Sequence, residues 1–452
     1  MSAHGIDPGR VADLKAREDA RFAEAHPRCI EAGSRALRVM PNGVPMSWLR
    51  TSYDHPPLWV DRAEGSRFRD LDGHEYADFN IADMSMFAGY GPEPVVEAVA
   101  RRVADGSQFL LPSEDSIWVA EELGRRYGLP KWQFTLSATH ANLEAIRVAR
   151  VATGRERVLF FGGKYHGHFD EGLVTLEHGR LVAEEAGLAS DVTSKVVVVP
   201  FNDLEALASA LDSHEIALVT TEPALTNFIG LLMPDPGFHE ALRAATREAG
   251  TLLCYDETHT QVVGPGGLTS MWDLEPDIVS LGKSIAGGVP LGAYGMTDEV
   301  AETLRRPAED ESEKPLVATG GTLFGNPLSM AAARATMSDV LTPDAYAHTQ
   351  ALGARLADGI EAAIDRTRLP WTTHRFWPRS GCTFAPTMAR NADEARTTID
   401  EPLRQLARIY LANRGVWEAI VGAGPTCSVP ADTDDVDAYV GAFGDLVDEL
   451  TS

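Results

Sequence analysis

Short apolar runs alternate with helical patterns through the middle of the chain. The runs predict strands over residues 132–136, 158–161, 195–199, 217–221, 251–255 and 278–281. The segments between them predict helices over 141–151, 204–211 and 238–249. The run Val196-Val197-Val198-Val199 is apolar throughout, which is typical of a strand covered on both faces. Strands that alternate with helices in this way indicate βαβ units and a mostly parallel sheet.

The two ends of the chain show different patterns. Residues 11–25 predict a solvated helix, and 58–79 predict a β-meander with a tight turn at Asp72-Gly73. Beyond residue 326 we expect helices over 327–341, 345–366 and 433–450, with short strands between 371 and 386. We therefore predict an N-terminal segment with a helix and a pocket-covering loop, a large domain and a small α+β domain, with the boundaries 1–65, 66–330 and 331–452. The acidic, polar segment 307–315 predicts a loop.

Composition and charge narrow the possible functions. The chain has 452 residues, of which 44% are hydrophobic and 23% charged, and its net charge is −26. So acidic a protein is a poor ligand for nucleic acid or for anionic membranes, and we expect neither as a partner. The first 27 residues are polar, and no apolar run reaches the roughly 18–20 residues of a membrane span. Four scattered cysteines favour reduced thiols, so we expect a cytoplasmic protein.

One lysine stands at an unusual place. Lys283 follows the apolar run 278–281 and precedes the turn Gly287-Gly288-Val289-Pro290. Lysine avoids burial unless it is paired. Two interpretations remain open from this pattern alone. Lys283 is either a catalytic amine able to form a Schiff base with an aldehyde, or a surface lysine at the end of a strand.

The ends of two other strands indicate groups that hold an anion and a flat ring. Ser137-Ala138-Thr139-His140 leads into a helix, and free N–H groups at a helix N-terminus favour phosphate. An ordinary Ser/Thr helix cap is the alternative. Tyr165 or His166, in a glycine-rich loop after 158–161, could stack on a heteroaromatic ring. A zinc site at His166 and His168 has no supporting Cys or carboxylate cluster, so we expect no metal.

Carboxylates follow two further strands. Glu222 comes directly after 217–221, with Asn227 close behind it, and Asp256 comes directly after 251–255. A carboxylate beside a pyridinium keeps the ring nitrogen charged, although Asp256 could also be a helix-capping residue. Thr322 could donate to a phosphate. A phosphate site, a stacking ring, an acid and a lysine form the set that a pyridoxal phosphate enzyme requires.

At this point the sequence resembles the class III pyridoxal-phosphate aminotransferases of fold type I. Within them it is most similar to the glutamate-1-semialdehyde aminomutase-like transaminases. The resemblance is clear from about residue 58 to 327 and looser beyond. It implies a large domain with a mostly parallel, seven-stranded sheet and a smaller α+β C-terminal domain. The motifs that carry it are residues 165–168, Glu222-Pro223 with Asn227, Asp256-Glu257, 276–283 with 287–295, and Gly321-Thr322 with Gly325-Asn326-Pro327.

The resemblance implies roles for the lysine and the acids. Lys283 would form the internal aldimine with pyridoxal 5'-phosphate, and Asp256 would pair with the pyridinium nitrogen. Glu222 and Asn227 would support Asp256 and the surroundings of the ring. Thr258 would lie under the ring, where relatives carry a valine.

The same resemblance implies contacts for the ring face and the phosphate. Tyr165 would stack on the ring, with His166 beside it in the cofactor site. Ala138 and Thr139 would hold the phosphate, and Thr322 would reach the phosphate of the partner subunit. A contact from the neighbouring subunit makes a homodimer the smallest complete unit.

The chain departs from the family pattern at four positions. Ala138 and His140 replace the glycine and glutamate of the usual Ser-Gly-Thr-Glu turn. Alanine resists positive φ, so we expect a slightly reshaped turn. Thr258 makes the ring face more polar than the family's valine does, and His259 follows it where relatives rarely carry an imidazole.

We predict an aminotransferase that moves an amino group between an amine or amino acid and a carbonyl acceptor through the Lys283 aldimine. The alternative is an isomerase on the same scaffold, either an intramolecular aminomutase or an amino-acid epimerase. A cofactor-binding protein without activity is disfavoured, because Lys283 and Asp256 are both present. For the substrate we expect a carboxylate contact from Arg50 or Arg379 and a partly apolar pocket with Trp48 and Met84.

Overall fold

The structure is a computed structural model that describes residues 4–177, 179–305, 317–419 and 422–452. The predicted loop 307–315 lies outside these ranges. The strands are β1 Val60–Glu64, β2 Arg67–Asp70, β3 Glu75–Asp78, β4 Lys131–Thr135, β5 Arg157–Phe161, β6 Val174–Glu177, β7 Arg180–Ala183, β8 Val196–Val199, β9 Ile216–Thr221, β10 Leu225–Asn227, β11 Gly230–Leu232, β12 Leu252–Asp256, β13 Ile278–Leu281, β14 Gly292–Met296, β15 Thr372–His374, β16 Gly381–Thr383 and β17 Val416–Trp417.

The helices vary from a single turn to seven turns. They are α1 Pro8–Ala25, α2 Pro27–Ala36, α3 Trp48–Thr51, α4 Glu93–Ala104, α5 Glu114–Tyr127, α6 Ala138–Thr153, α7 Leu204–Leu211, α8 Phe238–Ala249, α9 Gly267–Met271, α10 Asp298–Arg305, α11 Pro327–Ala335, α12 Pro343–Thr367, α13 Ala392–Thr397, α14 Glu401–Ala412 and α15 Thr433–Thr451. Within the described ranges, no helix has the length and apolarity that crossing a bilayer requires.

The chain packs into two compact units. Unit 1 contains residues 1–91, 347–388 and 396–452, and unit 2 contains 92–346 and 389–395. The predicted division into 1–65, 66–330 and 331–452 was drawn from changes of pattern along the chain. Packing instead groups the N-terminal segment with most of the C-terminal region, because α1 and α14 share the apolar core of unit 1.

A seven-stranded sheet forms the centre of unit 2, in the order β4-β14-β13-β12-β9-β5-β8. β13, β12, β9, β5 and β8 are parallel, and β14 pairs antiparallel with both β13 and β4. Six strands therefore run in one direction and one runs against them, as the mostly parallel prediction expected. Apolar residues of α6 pack with strand residues on one face of the sheet, and residues of α7 and α8 pack with other strand residues.

The reversed strand β14 was not predicted from its sequence, Gly292-Ala293-Tyr294-Gly295-Met296. Its glycines lower the strand propensity and suggest a turn. The structure explains Gly295 by close approach: a Cβ there would lie 2.5 Å from the indole of Trp132 on the neighbouring β4. The residue is therefore small because a large ring covers it.

Unit 1 contains a sheet in the order β1-β2-β3-β17, in which β17 is parallel to β3. The predicted hairpin at Asp72-Gly73 is confirmed, since β2 and β3 pair antiparallel around it. The apolar core of this unit includes residues from α1, α12, α14 and α15. The predicted N-terminal helix, the long helix 345–366 and the final helix all form, each within a few residues of its predicted bounds.

His26, Asp70 and His74 of unit 1 bring possible metal-ligand atoms within 4.8 Å of one another. Hydrogen bonds account for this cluster. Asp70 accepts from the Tyr76 hydroxyl at 3.0 Å and from the His74 N–H at 2.9 Å, and His26 Nδ1 is 2.6 Å from the carbonyl oxygen of Phe22. The cluster joins the end of α1 to the β2–β3 hairpin, and we interpret it as structural.

Candidate active site

Three neighbouring strands of unit 2 deliver the central groups of the site at their carboxyl ends. Asp256 is the last residue of β12, Lys283 follows β13, and Glu222 follows β9. β9, β12 and β13 are adjacent in the sheet. In parallel α/β sheets this edge is where ligands bind.

Four donors surround the Asp256 carboxylate, which is 2% exposed. Oδ2 is 2.8 Å from His166 Nδ1 and 2.9 Å from Asn142 Nδ2. Oδ1 accepts from the N–H of Thr258 at 3.0 Å and from its hydroxyl at 2.5 Å. Burial alone would raise the pKa of Asp256, but the bonds from His166, Thr258 and Asn142 outweigh it and hold the pKa well below its usual range. Asp256 is therefore a fixed anion.

Lys283 belongs to a second chain of polar contacts. Its Nζ lies 2.5 Å from His259 Nε2, and His259 Nδ1 lies 3.2 Å from Glu222 Oε2. Glu222 also accepts from the side chains of Asn227 at 2.9 Å and Thr226 at 2.8 Å. Burial would raise the pKa of Glu222, yet the hydrogen bonds from His259 and Asn227 outweigh burial and lower it. This carboxylate is also an anion at neutral pH.

The backbone at Lys283 is strained. Its φ is +52°, in the left-handed region that non-glycine residues enter at a cost of about 1–3 kcal/mol. Next to it, a Cβ on Gly282 would lie 2.8 Å from the N atom of Ala138. This close approach brings the lysine turn against the first residue of α6. Strain of this kind persists where the surrounding structure fixes the backbone for function.

The N-terminus of α6 is the predicted phosphate turn. Ser137 is its N-cap and accepts from the N–H of His140 at 3.4 Å. Ala138 is already helical and is not among the residues with positive φ, so alanine meets no left-handed strain at this position. Gly167 contacts the turn closely, since a Cβ there would lie 2.8 Å from Thr139 Cα. The backbone N–H groups of Ala138 and Thr139 have the helical position that suits an anion.

The aromatic part of the site is the loop after β5. Tyr165 is half-buried, and its ring meets Phe228 edge-on at a centroid distance of 5.7 Å. His166 is buried against Asp256, whereas His168 is exposed, 3.3 Å from Glu185. The two histidines thus have different partners and different surroundings.

These residues fit pyridoxal phosphate. A helix N-terminus suits its phosphate, a half-buried tyrosine ring suits a flat ring, a buried permanent anion suits a pyridinium, and a lysine suits an aldehyde. A carboxylate offers about four lone-pair sites, and four donors already approach Asp256. The hydroxyl of Thr258 is the donor that can rotate away, so it can yield its place to a ring N–H.

Thr322 and the predicted substrate residues differ in their exposure and in their local contacts. Thr322 is exposed, and its carbonyl oxygen accepts from Gln108 Nε2 at 2.6 Å. The predicted substrate residues belong to unit 1, and their role stays a prediction. Trp48 and Arg50 lie on α3, where Arg50 is exposed, Met84 is 2% exposed in a left-handed turn, and Arg379 is 2% exposed with its Nε 3.4 Å from the carbonyl oxygen of Gly424.

Sequence reasoning missed the roles of three side chains. Asn142 bonds Asp256 and also donates to the carbonyl oxygen of His166 at 2.8 Å. Gln261 donates to the carbonyl oxygen of Gly282 at 2.9 Å. The sequence marks His259 only as an unusual residue for its position. Asn142 follows Ala138 by four residues, and this spacing places both on the same face of a helix, so Asn142 could have been predicted to lie near the phosphate turn. No local pattern indicates the contacts of Gln261 or His259.

Comparisons with known proteins agree with this geometry. The family model "Aminotransferase class-III" matches residues 49–370. A glutamate-1-semialdehyde 2,1-aminomutase of Exiguobacterium sibiricum is 34% identical over 395 residues, which cover 85% of this chain and 88% of that protein. The crystal structure of a glutamate-1-semialdehyde-aminomutase from Pseudomonas aeruginosa PAO1 has 37% identity and a TM-score of 0.94, covering 99% of this chain and 100% of that one. A variant of the latter was solved in complex with PMP. The structure of an omega-transaminase from Sphaerobacter thermophilus has 30% identity and a TM-score of 0.85, and the match covers 94% of this chain and 98% of that one.

Proposed function

The chain belongs to the class III aminotransferase family of pyridoxal phosphate enzymes, and on this premise we propose that it is an aminomutase. It would exchange an amino group and a carbonyl group within one substrate molecule. The cofactor is pyridoxal 5'-phosphate, which when bound supplies an electron sink for the substrate carbon that loses a proton. The predicted fold and cofactor are confirmed, and the predicted aminotransferase is confirmed only as a member of this enzyme family.

The observation that supports the aminomutase most strongly is the similarity to aminomutases over nearly the whole chain. It extends across 99% of the chain in the Pseudomonas aeruginosa structure. We therefore propose a small amino aldehyde with a carboxylate, such as glutamate 1-semialdehyde, as the substrate class. Arg50 or Arg379 would bind its carboxylate, and Trp48 and Met84 would line the pocket.

The residues of this chain would act as follows. Ala138 and Thr139 bind the phosphate through backbone N–H groups, and Tyr165 orients the ring. Asp256 keeps a proton on the ring nitrogen. Lys283 would remove a proton at the nitrogen-bearing carbon of the substrate as a general base and give a proton back as a general acid.

A second candidate is transfer of the amino group between two molecules, as first predicted. The similarity to the omega-transaminase, at a TM-score of 0.85, favours it. The same lysine and acid would serve both reactions, so they differ in whether the enzyme needs a separate acceptor.

Incubation of the loaded enzyme with glutamate 1-semialdehyde, without any donor or acceptor, tests the proposal. We expect an isomer with the amine on carbon 1 and the carbonyl on carbon 2, at constant total amine, measured by mass spectrometry and NMR. A parallel sample with an amine donor and a keto acid is the control. Product that forms only in the second sample, with one acceptor aminated per donor consumed, would favour the aminotransferase.

We also propose a homodimer in which Thr322 contacts the partner's phosphate site. Large apolar side chains near Gln108, the residue that bonds Thr322, support this: Leu110 is 72% and Leu111 is 68% exposed. Covering such a patch is a common reason for association.

We expect Leu110→Glu to yield monomers that bind the cofactor more weakly, measured by sedimentation and cofactor titration. Leu204→Glu, at an exposed site on α7, is the control. A native protein that sediments as a monomer would contradict the proposal.

A further inference from the structure

We propose that His259 is the proton-transfer partner of Lys283, oriented for this task by Glu222. The inference rests on the proposed function, because it assigns the group that controls the charge of the lysine amine in that site. Its basis is the chain of contacts Lys283 Nζ to His259 Nε2 at 2.5 Å and His259 Nδ1 to Glu222 Oε2 at 3.2 Å.

The contacts fix which imidazole nitrogen carries hydrogen. Glu222 is an anion and can only accept, so His259 Nδ1 carries the hydrogen that faces it. The other nitrogen, Nε2, then presents its lone pair to Lys283 Nζ. A neutral imidazole in this tautomer is an acceptor for a lysine N–H, and a carboxylate behind an imidazole is the arrangement that orients a general base.

Burial keeps bulk water away from His259 and Glu222, so their contacts with each other and with Lys283 are not replaced by contacts with water. His259 is 4% and Glu222 is 1% exposed, so bulk water is largely excluded from both. Glu222 is further fixed by bonds from Thr226 and Asn227. Asp256 and His166, two further titratable side chains of the site, bond each other. The imidazole thus has one fixed anion on one side and the reactive amine on the other.

The proton transfer conserves charge within the triad. Before it, Glu222 is negative, His259 neutral and Lys283 an ammonium. One proton then moves from Nζ to Nε2, which leaves a neutral amine and an imidazolium beside the Glu222 carboxylate. Ordinary lysine amines titrate near 10.4, so at neutral pH nearly all of them are protonated and cannot attack a carbonyl carbon. His259 would supply the neutral amine, and it would return the proton when Lys283 acts as an acid.

Trace labelling of the cofactor-free full chain with acetic anhydride tests this without any substrate. The fraction labelled at Lys283 is measured by peptide mass spectrometry, with the exposed Lys131 as internal reference. In His259→Gln, which keeps hydrogen-bonding atoms but takes up no proton, we expect labelling of Lys283 at pH 7 to fall about 10²-fold. Above pH 10.5, where lysine amines generally lose their proton, native and variant should react alike.

The rate at which the cofactor-free protein takes up pyridoxal phosphate should fall in parallel at pH 7. Glu222→Gln should also lower both the labelling rate of Lys283 and the rate of cofactor uptake. This variant replaces His259→Gln in the test if His259→Gln does not fold. His239→Gln removes another buried histidine of unit 2, bonded to Tyr255 and Pro223, and should change neither rate.

Equal labelling of Lys283 at pH 7 in native and His259→Gln proteins would overturn the inference. A reduction of the same size at every pH would also overturn it, since it would indicate a purely structural role. Neither result depends on whether the enzyme isomerises or transaminates.

Discussion

Replacement of Lys283 by alanine is expected to abolish covalent retention of the cofactor and to lower turnover by about 10⁴-fold. Two functions would be lost together, the amine that binds the aldehyde and the group that moves the substrate proton. The rest of the site should still bind the cofactor without a covalent bond, because the phosphate turn, Tyr165 and Asp256 are unchanged. Gel filtration under denaturing conditions after borohydride reduction, and under native conditions without reduction, followed by absorbance, separates covalent from non-covalent binding.

Lys164→Met is the matched control for this change. Lys164 is a buried lysine of unit 2, 3.1 Å from Glu184 and bonded to the carbonyl oxygen of Gly172. Its replacement should lower stability yet leave the covalent cofactor in place. Retention of the cofactor through denaturation in Lys283→Ala, or its loss in Lys164→Met alone, would refute the assignment of Lys283.

We expect Asp256→Asn to lower turnover by about 10²–10³-fold while the cofactor remains attached to the lysine. Asparagine has the same shape but no charge, so it cannot keep a proton on the ring nitrogen. Its amide would also place a donor against the donors of His166, Asn142 or Thr258, at a cost of about 1–3 kcal/mol in unfolding free energy. Steady-state kinetics on the loaded enzyme and thermal unfolding measure the two effects separately.

Asp277→Asn distinguishes loss of charge in the site from loss of an ion-paired, half-buried carboxylate elsewhere in unit 2. Asp277 accepts from both terminal nitrogens of Arg243, at 2.7 and 2.9 Å, and from the N–H of Leu253. It precedes β13, at the opposite end from Lys283. We expect this variant to lose stability and keep its turnover. Equal turnover in the two variants would contradict the role of Asp256.

The pKa of Asp256 also determines how its contribution depends on pH. Its folded-state pKa lies below the unfolded value, so its stabilisation is fully present above the unfolded value. The stabilisation is lost as the pH falls from there through the folded-state pKa. Acid unfolding of Asp256→Asn should therefore depend less on pH over that range than acid unfolding of the native protein.

Much of the fold could be predicted because its elements have strong local signals. The helices 204–211 and 238–249 form within the predicted bounds, since apolar periodicity and turn residues agree there. β14 was missed because its glycines reflect contacts with Trp132 and other neighbours that no local pattern encodes. The grouping of the N-terminal segment with the C-terminal region depends on packing between distant residues, which the order of patterns along the chain does not reveal.

The site was predictable to the extent that its residues follow buried strands. Asp256, Glu222 and Lys283 were found in this way, because adjacent parallel strands end at one edge of the sheet. The contact between His259 and Lys283 was not predictable. His259 lies 24 residues before the lysine, and only the folded chain brings the two nitrogens to 2.5 Å. Ala138 is helical, so alanine there needs no positive φ, and a reshaped turn relative to the family stays a prediction.

Reduction of the loaded enzyme with borohydride, followed by peptide mapping, tests the central claim most directly. The reagent fixes the cofactor to whichever amine holds it. We predict a phosphopyridoxyl group on Lys283, at close to one per chain. The same group on Lys164 or another lysine, or none after reduction of a protein that retains the cofactor, would contradict the account of the site.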